Sequence, residues 1–148
     1  MTRNSNVIES FKGLVGNKNV ITNKWGKEPF ITGWRYGKGE ALAVVKPGTL
    51  LEMWQVLKVC IKNDVCVIMQ AANTGLTGGS SPFGNDYDRP VVIINTLRIT
   101  SIHLIKNAEQ IIALPGSSLY DLETKLKPLN KMENFICLFI INTYLFTS

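Results

Sequence analysis

With 148 residues, 45% hydrophobic and 18% charged, the chain has the composition of a globular domain and is long enough to bury about 70% of its unfolded surface. Its net charge of +5 is scattered, with no run of five or six basic residues; such a diffuse positive field suits an anionic cofactor, nucleic acid or an acidic membrane surface, and charge alone does not choose among them. Cys60, Cys66 and Cys137 are odd in number and lack metal or redox spacing, which excludes a disulfide framework; they read as small buried hydrophobes in a reducing compartment.

The N-terminal stretch "MTRNSNVIESFKGLVGNKNV" has no apolar run of signal-peptide length, and a cytoplasmic location is expected. A weak amphipathic pattern runs from Val7 to Leu14. Glycines and aromatics then dominate up to about residue 40, so residues 1–36 are expected to form an irregular lead-in. Within it, "GWRYGKG" has three residues between its first two glycines where a phosphate-binding P-loop needs four. Gly39 also stands where that motif puts a magnesium-binding hydroxyl, so the motif is rejected.

From Ala41 the pattern sharpens. "ALAVVKPG" predicts a short strand stopped by Pro47-Gly48, and "TLLEMWQVLKVCIKND" a helix with Leu50, Trp54, Leu57 and Ile61 on one apolar stripe. Thr49 and Glu52 have capping-box spacing at its start. "VCVIMQ" predicts a second strand, apolar on both faces as a covered parallel strand would be. Together these make a βαβ unit. "VVIIN" predicts a third buried strand, and "ITSIHLI" and "QIIALPG" two weaker ones. Ser118 and Asp121 then cap a helix carrying Leu119, Leu122, Leu126 and Leu129, closed by Pro128 and Asn130.

Between the second and third strands lies "QAANTGLTGGSSPFGNDYDRP", a loop of a length that compact domains keep for function. It starts at the C-terminal end of a predicted parallel strand, where open α/β sheets place ligands. Asn73, Thr74, Gly75, Thr77, Gly78, Gly79 and Ser80 offer small side chains, hydroxyls and backbone N–H groups, the makings of an anion nest suited to a pyrophosphate. A flexible surface loop is the plainer alternative.

The stretch "AVVKPGTLLEMWQVLKVCIKNDVCVIMQAANTGLTGGS" resembles the opening of the FAD-binding domain of the vanillyl-alcohol oxidase superfamily, whose glycine-rich loop is often written "RGGGTGLSGG". More narrowly, "QAANTGLTGGSSPFGNDYDRPVVIINTLR" resembles the quinone-dependent, respiratory D-lactate dehydrogenases. The resemblance implies an α+β fold with an α/β-like N-terminal subdomain, an incomplete domain of the p-cresol methylhydroxylase (PCMH) FAD-binding type. It implies FAD as cofactor, contacted by Ala71, Ala72, Asn73, Thr74, Gly75, Gly79 and Ser80, and in the full-length family oxidation of D-lactate to pyruvate with electrons passed to a membrane quinone. Relatives of full length would be peripheral on the cytoplasmic face of the inner membrane, through parts outside this chain. The expected division is a lead-in at 1–36, the partial FAD-binding domain at 37–131 and a divergent tail at 132–148. That tail, "MENFICLFIINTYLFTS", is apolar, too short to span a bilayer and unlike the "EPHSVIGSS" the family continues with, so a truncated and catalytically inactive piece is expected.

Competing classes are a nonenzymatic nucleotide-binding fragment and a basic nucleic-acid-binding module; the second lacks aromatics interleaved with Lys/Arg. His103, the single histidine, reads as satisfied or exposed rather than catalytic. Asp86 and Asp88 read as turn formers rather than metal ligands, and Trp25, Trp34 and Trp54 as packing residues.

Overall fold

The computed structural model describes residues 3–130 and the backbone of Cys137–Phe139. The chain folds as two compact units, residues 1–98 and 99–148.

The first unit is built on a four-stranded sheet in the order β1-β2-β4-β3, with β1 Val20–Ile21, β2 Ala43–Val45, β3 Cys66–Gln70 and β4 Val91–Asn95. β4 enters last and slots between β2 and β3, parallel to both, with Val44 opposite Ile93 and Ile68 opposite Ile93 on the other side. The predicted βαβ unit is therefore present, with its two strands separated by the third. β4 is buried throughout, as a central parallel strand must be. β3 lies at the sheet edge and is only half-buried until Gln70, which corrects the expectation of a strand covered on both faces.

Residues 3–31 are not an irregular lead-in. They form α1 (Arg3–Val15), β1 and α2 (Lys24–Ile31). α1 buries Val7, Phe11 and Val15, one residue per turn, and packs against α3 (Leu50–Lys62). α2 starts at Asn23, whose side chain accepts from the Gly26 N–H, and Ile31 with Phe30 joins Ala41, Val44, Val91 and Ile93 in a cluster on one sheet face. Alternate residues Ala43, Val45, Val92 and Ile94 point to the other face and are fully buried.

α3 is capped as predicted at Thr49, whose hydroxyl accepts from the Glu52 N–H at 3.0 Å, while the Glu52 carboxylate reaches one residue further back to the Gly48 N–H at 2.7 Å. Its buried face is Met53, Val56 and Cys60. The stripe expected from the sequence, with Leu50, Trp54 and Ile61, is exposed, Trp54 by 55% and Ile61 by 75%. The apolar arc of the helix, opposite Glu52, Gln55, Lys58 and Lys62, is wider than one stripe, so periodicity offered two stripes one residue apart, and packing against α1 and the sheet chose the other. Trp25 and Trp34 are exposed too, and none of the three tryptophans is a packing residue.

In the second unit β5 (Ile102–Ile105) and β6 (Gln110–Ala113) form an antiparallel hairpin, followed by α4 (Leu119–Leu126). α4 carries the complete Ser118–Asp121 capping box. Ile102, Ile111, Ala113 and Leu126 make its core, with Leu104 and Leu122 against it, while Leu119 and Leu129 stay exposed. Asn130 ends the segment in the left-handed conformation. The backbone of β7 (Cys137–Phe139) pairs in parallel with β6. The rest of the divergent tail lies outside the described residues.

Burial pushes the Cys60 thiol up to about 12, so its share of stability is complete below the ordinary thiol range and declines as pH rises through that range toward the folded value. Alkylation with iodoacetamide at pH 8, mapped by peptide mass spectrometry, is expected to spare Cys60 in the folded protein and to modify it in urea. The C-terminal ends of β3 and β4 carry buried polar residues, Gln70, Asn95 and Thr96. Gln70→Leu would strand the carbonyls and the amide that its side chain satisfies. It should cost about 3 kcal/mol in urea unfolding, against under about 1 kcal/mol for a surface change such as Thr77→Ala.

Candidate functional site: a glycine-rich loop at the ends of parallel strands

Where β3 and β4 stop, each ends in a carboxamide. Gln70 closes β3 and Asn95 closes β4, opposite one another in register. The Gln70 Nε2 donates to the carbonyls of Phe30 (2.8 Å) and Ser80 (2.7 Å), and its Oε1 accepts from Asn95 Nδ2 at 3.3 Å. Asn95 Nδ2 also donates to the Ala71 carbonyl at 2.9 Å, and the Thr96 N–H to the Gln70 carbonyl at 2.8 Å. The loop thus leaves and returns through one buried polar cluster. Among the described residues no buried side-chain polar atom lacks a partner.

Beyond this anchor Asn73 takes a left-handed backbone, φ 57°. Its Nδ2 donates to the carbonyls of Thr32 (2.8 Å) and Pro29 (3.3 Å), and its Oδ1 accepts from the Ser80 hydroxyl at 2.8 Å. Ala71, Asn73 and Ser80 are half-buried, while Ala72, Thr74, Gly75, Thr77 and Gly79 are exposed. The backbone N–H groups of residues 74–77 and of Gly79 donate to no other described residue. Gly79 has open space where a Cβ would stand, and at Gly75 the nearest atom, Ser80 Oγ, would lie 3.8 Å away. Neither glycine is demanded by the packing of the protein itself; both leave room for something to approach the backbone.

The glycines of "GWRYGKG" do serve internal packing. A Cβ on Gly33 would stand 2.0 Å from the Tyr36 carbonyl, and one on Gly39 2.2 Å from the Gly84 carbonyl. Gly39 and Gly84 form a parallel bridge, and the Ser81 hydroxyl lies 3.4 Å from the Tyr36 carbonyl. The 33–39 turn therefore cradles the second half of the loop. Sequence reasoning rejected it as a phosphate site and assigned it no further use; its three glycines in seven residues were the available signal.

The loop's far end is pinned separately. Arg89 forks onto Asp88 (2.8 Å to each oxygen) and reaches Asp64 at 2.7 Å, while the Tyr87 hydroxyl accepts from the Phe83 N–H at 3.0 Å. The Arg89 hydrogen bonds hold the Asp88 carboxyl below the usual carboxylate range, so Asp88 is a paired turn residue. Among the described residues no group of three or more His, Cys, Asp or Glu side chains could hold a metal. His103 is exposed, with Nε2 2.7 Å from the Ser101 hydroxyl. An open groove of about 430 Å³ borders the loop, lined by Glu28, Pro29, Thr32, Trp34, Ala72 and Asn73 among others. Glu28 is bridged to Lys38 at 2.7 Å, and that hydrogen bond lowers the Glu28 carboxyl and raises the Lys38 ammonium. Both stay ionised at neutral pH and cancel beside the loop.

No protein-family model matches the chain. Among curated proteins it is 55% identical over 125 residues to the quinone-dependent D-lactate dehydrogenase of Haemophilus influenzae, covering 84% of this chain and 22% of that protein. It is 50% identical over 130 residues to the enzyme of the same name from Escherichia coli, covering 88% and 23%. The chain therefore spans less than a quarter of the length of these relatives. Among solved structures it superposes on p-cresol methylhydroxylase with a TM-score of 0.69 at 16% identity, covering 86% of this chain and 25% of that one. Alkyldihydroxyacetonephosphate synthase matches with a TM-score of 0.73 at 16% identity, covering 84% and 25%. Over most of its own length, this chain belongs to the family of the quinone-dependent D-lactate dehydrogenases, and it has the fold of part of p-cresol methylhydroxylase and alkyldihydroxyacetonephosphate synthase.

Proposed function

We propose that the loop holds the pyrophosphate of FAD for a flavoprotein that oxidises D-lactate to pyruvate and passes the electrons to a membrane quinone. The observation that carries this reading is the row of unengaged N–H groups at 74–77 and 79, set beside open space at Gly75 and Gly79, at the C-terminal end of a parallel strand. An anion there gains several charge-assisted hydrogen bonds without having to break internal ones. The names of the curated relatives support the substrate and the electron acceptor.

The chemistry FAD supplies when bound is two-electron acceptance from D-lactate and delivery to the quinone. This chain's residues bind and orient. The N–H groups of residues 74–77 and 79 take the phosphate oxygens, with Ala71, Ala72 and Asn73 contributing through backbone and the Thr74 hydroxyl through its side chain. Ser80 closes the loop at its far side. Bridging of Glu28 by Lys38 keeps an uncompensated carboxylate away from the anion. None of the loop's own side chains from Ala71 to Ser80 takes up a proton at neutral pH, so the base of the reaction is not among them. Among the described residues no helix is long and apolar enough to cross a membrane. A cytoplasmic location, with contact to the bilayer only through other parts of a full-length protein, fits this reading.

Gly79→Val places a branched side chain where the phosphates would approach and where the protein has open space. FAD retention, read by absorbance after desalting, is expected to fall at least tenfold while the urea midpoint stays within error. Unchanged retention would remove the loop from the cofactor site. The 148-residue polypeptide supplied with FAD is expected to reduce no dye with D-lactate above the no-protein rate, with a full-length relative as positive control. The shared stretch is 22% of the Haemophilus relative, and His103 is tied to Ser101.

A further inference from the structure

The C-terminal end of α2 presents carbonyls that the helix itself cannot satisfy. Three of the four carbonyls from Pro29 to Thr32 are met by side chains at the start of the loop. Gln70 Nε2 donates to Phe30, and Asn73 Nδ2 to Thr32 and Pro29. The remaining one, Ile31, accepts from the Gly39 N–H at 3.3 Å. The loop therefore caps the helix, and the helix end in turn fixes where the loop begins.

We infer that the Asn73 side chain positions the loop for the cofactor: it is a latch between the end of α2 and Ser80 that holds residues 74–79 in their anion-binding shape, and only the backbone of Asn73, not its side chain, faces the ligand. This rests on the FAD reading above and deepens it. Both side-chain amide hydrogens and the side-chain oxygen of Asn73 are spent within the protein, which leaves its carboxamide no donor to offer a phosphate. Its left-handed backbone stands directly before the run of amides that have no partner among the described residues. Asparagine is suited to both tasks, because it tolerates φ above zero and its amide can cap carbonyls. There is also a charge argument. A helix C-terminus carries partial negative charge, which an incoming pyrophosphate would feel across the groove, and two amide N–H groups from Asn73 offset it there. Asn73→Asp would replace those donors with a carboxylate facing the same carbonyls.

The test uses the 148-residue chain with three substitutions. Asn73→Gly keeps the backbone conformation and removes the latch; Asn73→Asp reverses its charge pattern; Ser80→Ala cuts only the bond to Oδ1. Two quantities are read on samples matched for folded fraction by far-UV circular dichroism: FAD affinity from flavin fluorescence quenching, and the rate of thermolysin cleavage at Gly75–Leu76 without FAD. Asn73→Gly is expected to weaken FAD about tenfold and to speed cleavage at least fivefold, Asn73→Asp to weaken FAD further, and Ser80→Ala to give a smaller change in both. Weakened FAD with unchanged cleavage would make Asn73 a direct ligand and overturn the inference. Faster cleavage with unchanged FAD affinity would overturn it as well, since the latch would then be irrelevant to the cofactor. Wild-type chain that takes no FAD would sink the cofactor reading, whereas unchanged cleavage in Asn73→Gly would sink the latch alone.

Discussion

The carboxamide of Gln70 sits at the last position of β3, 2% exposed, and links three separate parts of the chain. Its two N–H groups meet the end of α2 and the returning loop, and its oxygen meets Asn95 at the end of the neighbouring strand. A polar side chain so deeply buried is tolerated only when all its hydrogen bonds are made, and here the partners come from segments 40, 10 and 25 residues away in sequence. Each of those segments is thereby held to the same point. The loop's shape, the register of β3 against β4 and the placement of α2 are linked conditions.

Around that point the glycines divide by physical role. Gly33 and Gly39 are required by the protein itself, because a Cβ at either would overlap a carbonyl oxygen. Gly75 and Gly79 are not: nothing in the described structure lies close enough to forbid alanine there. Gly75 and Gly79 stand beside backbone amides that have no partner among the described residues. The first pair builds the cradle, and the second leaves it open.

The electrostatics point the same way although the local charges are few. Glu28 and the carbonyl end of α2 both border the groove, and either would disfavour an anion if left bare. Lys38 offsets the first, and the amides of Gln70 and Asn73 offset the second. The exposed Glu28–Lys38 pair contributes little to stability. Its consequence is local, a near-neutral rim beside a loop of free donors.

Much of this was legible in the residues. The apolar runs 43–45, 66–70 and 91–95 are strands, the capped helices begin at Thr49 and Ser118, and the loop's composition and resemblance led to the fold that the solved structures share. Local chemistry carries such features, since a hydroxyl at an N-cap or a β-branched run acts within a few residues. What the sequence by itself left open was decided by distant partners. Periodicity alone could not choose between Leu50–Trp54–Ile61 and Met53–Val56–Cys60 within one wide apolar arc; burial against α1 and the sheet chose the second. Nor could it show that residues 3–31 are structured, because α1 and α2 are weakly amphipathic and gain their stability from tertiary burial of Val7, Phe11 and Ile31. The composition of "NTGLTGG" supplied hydroxyls and backbone N–H groups, but which of its groups are engaged within the protein was decided only when Asn73 and Ser80 met each other and the end of α2, 41 residues earlier in the chain.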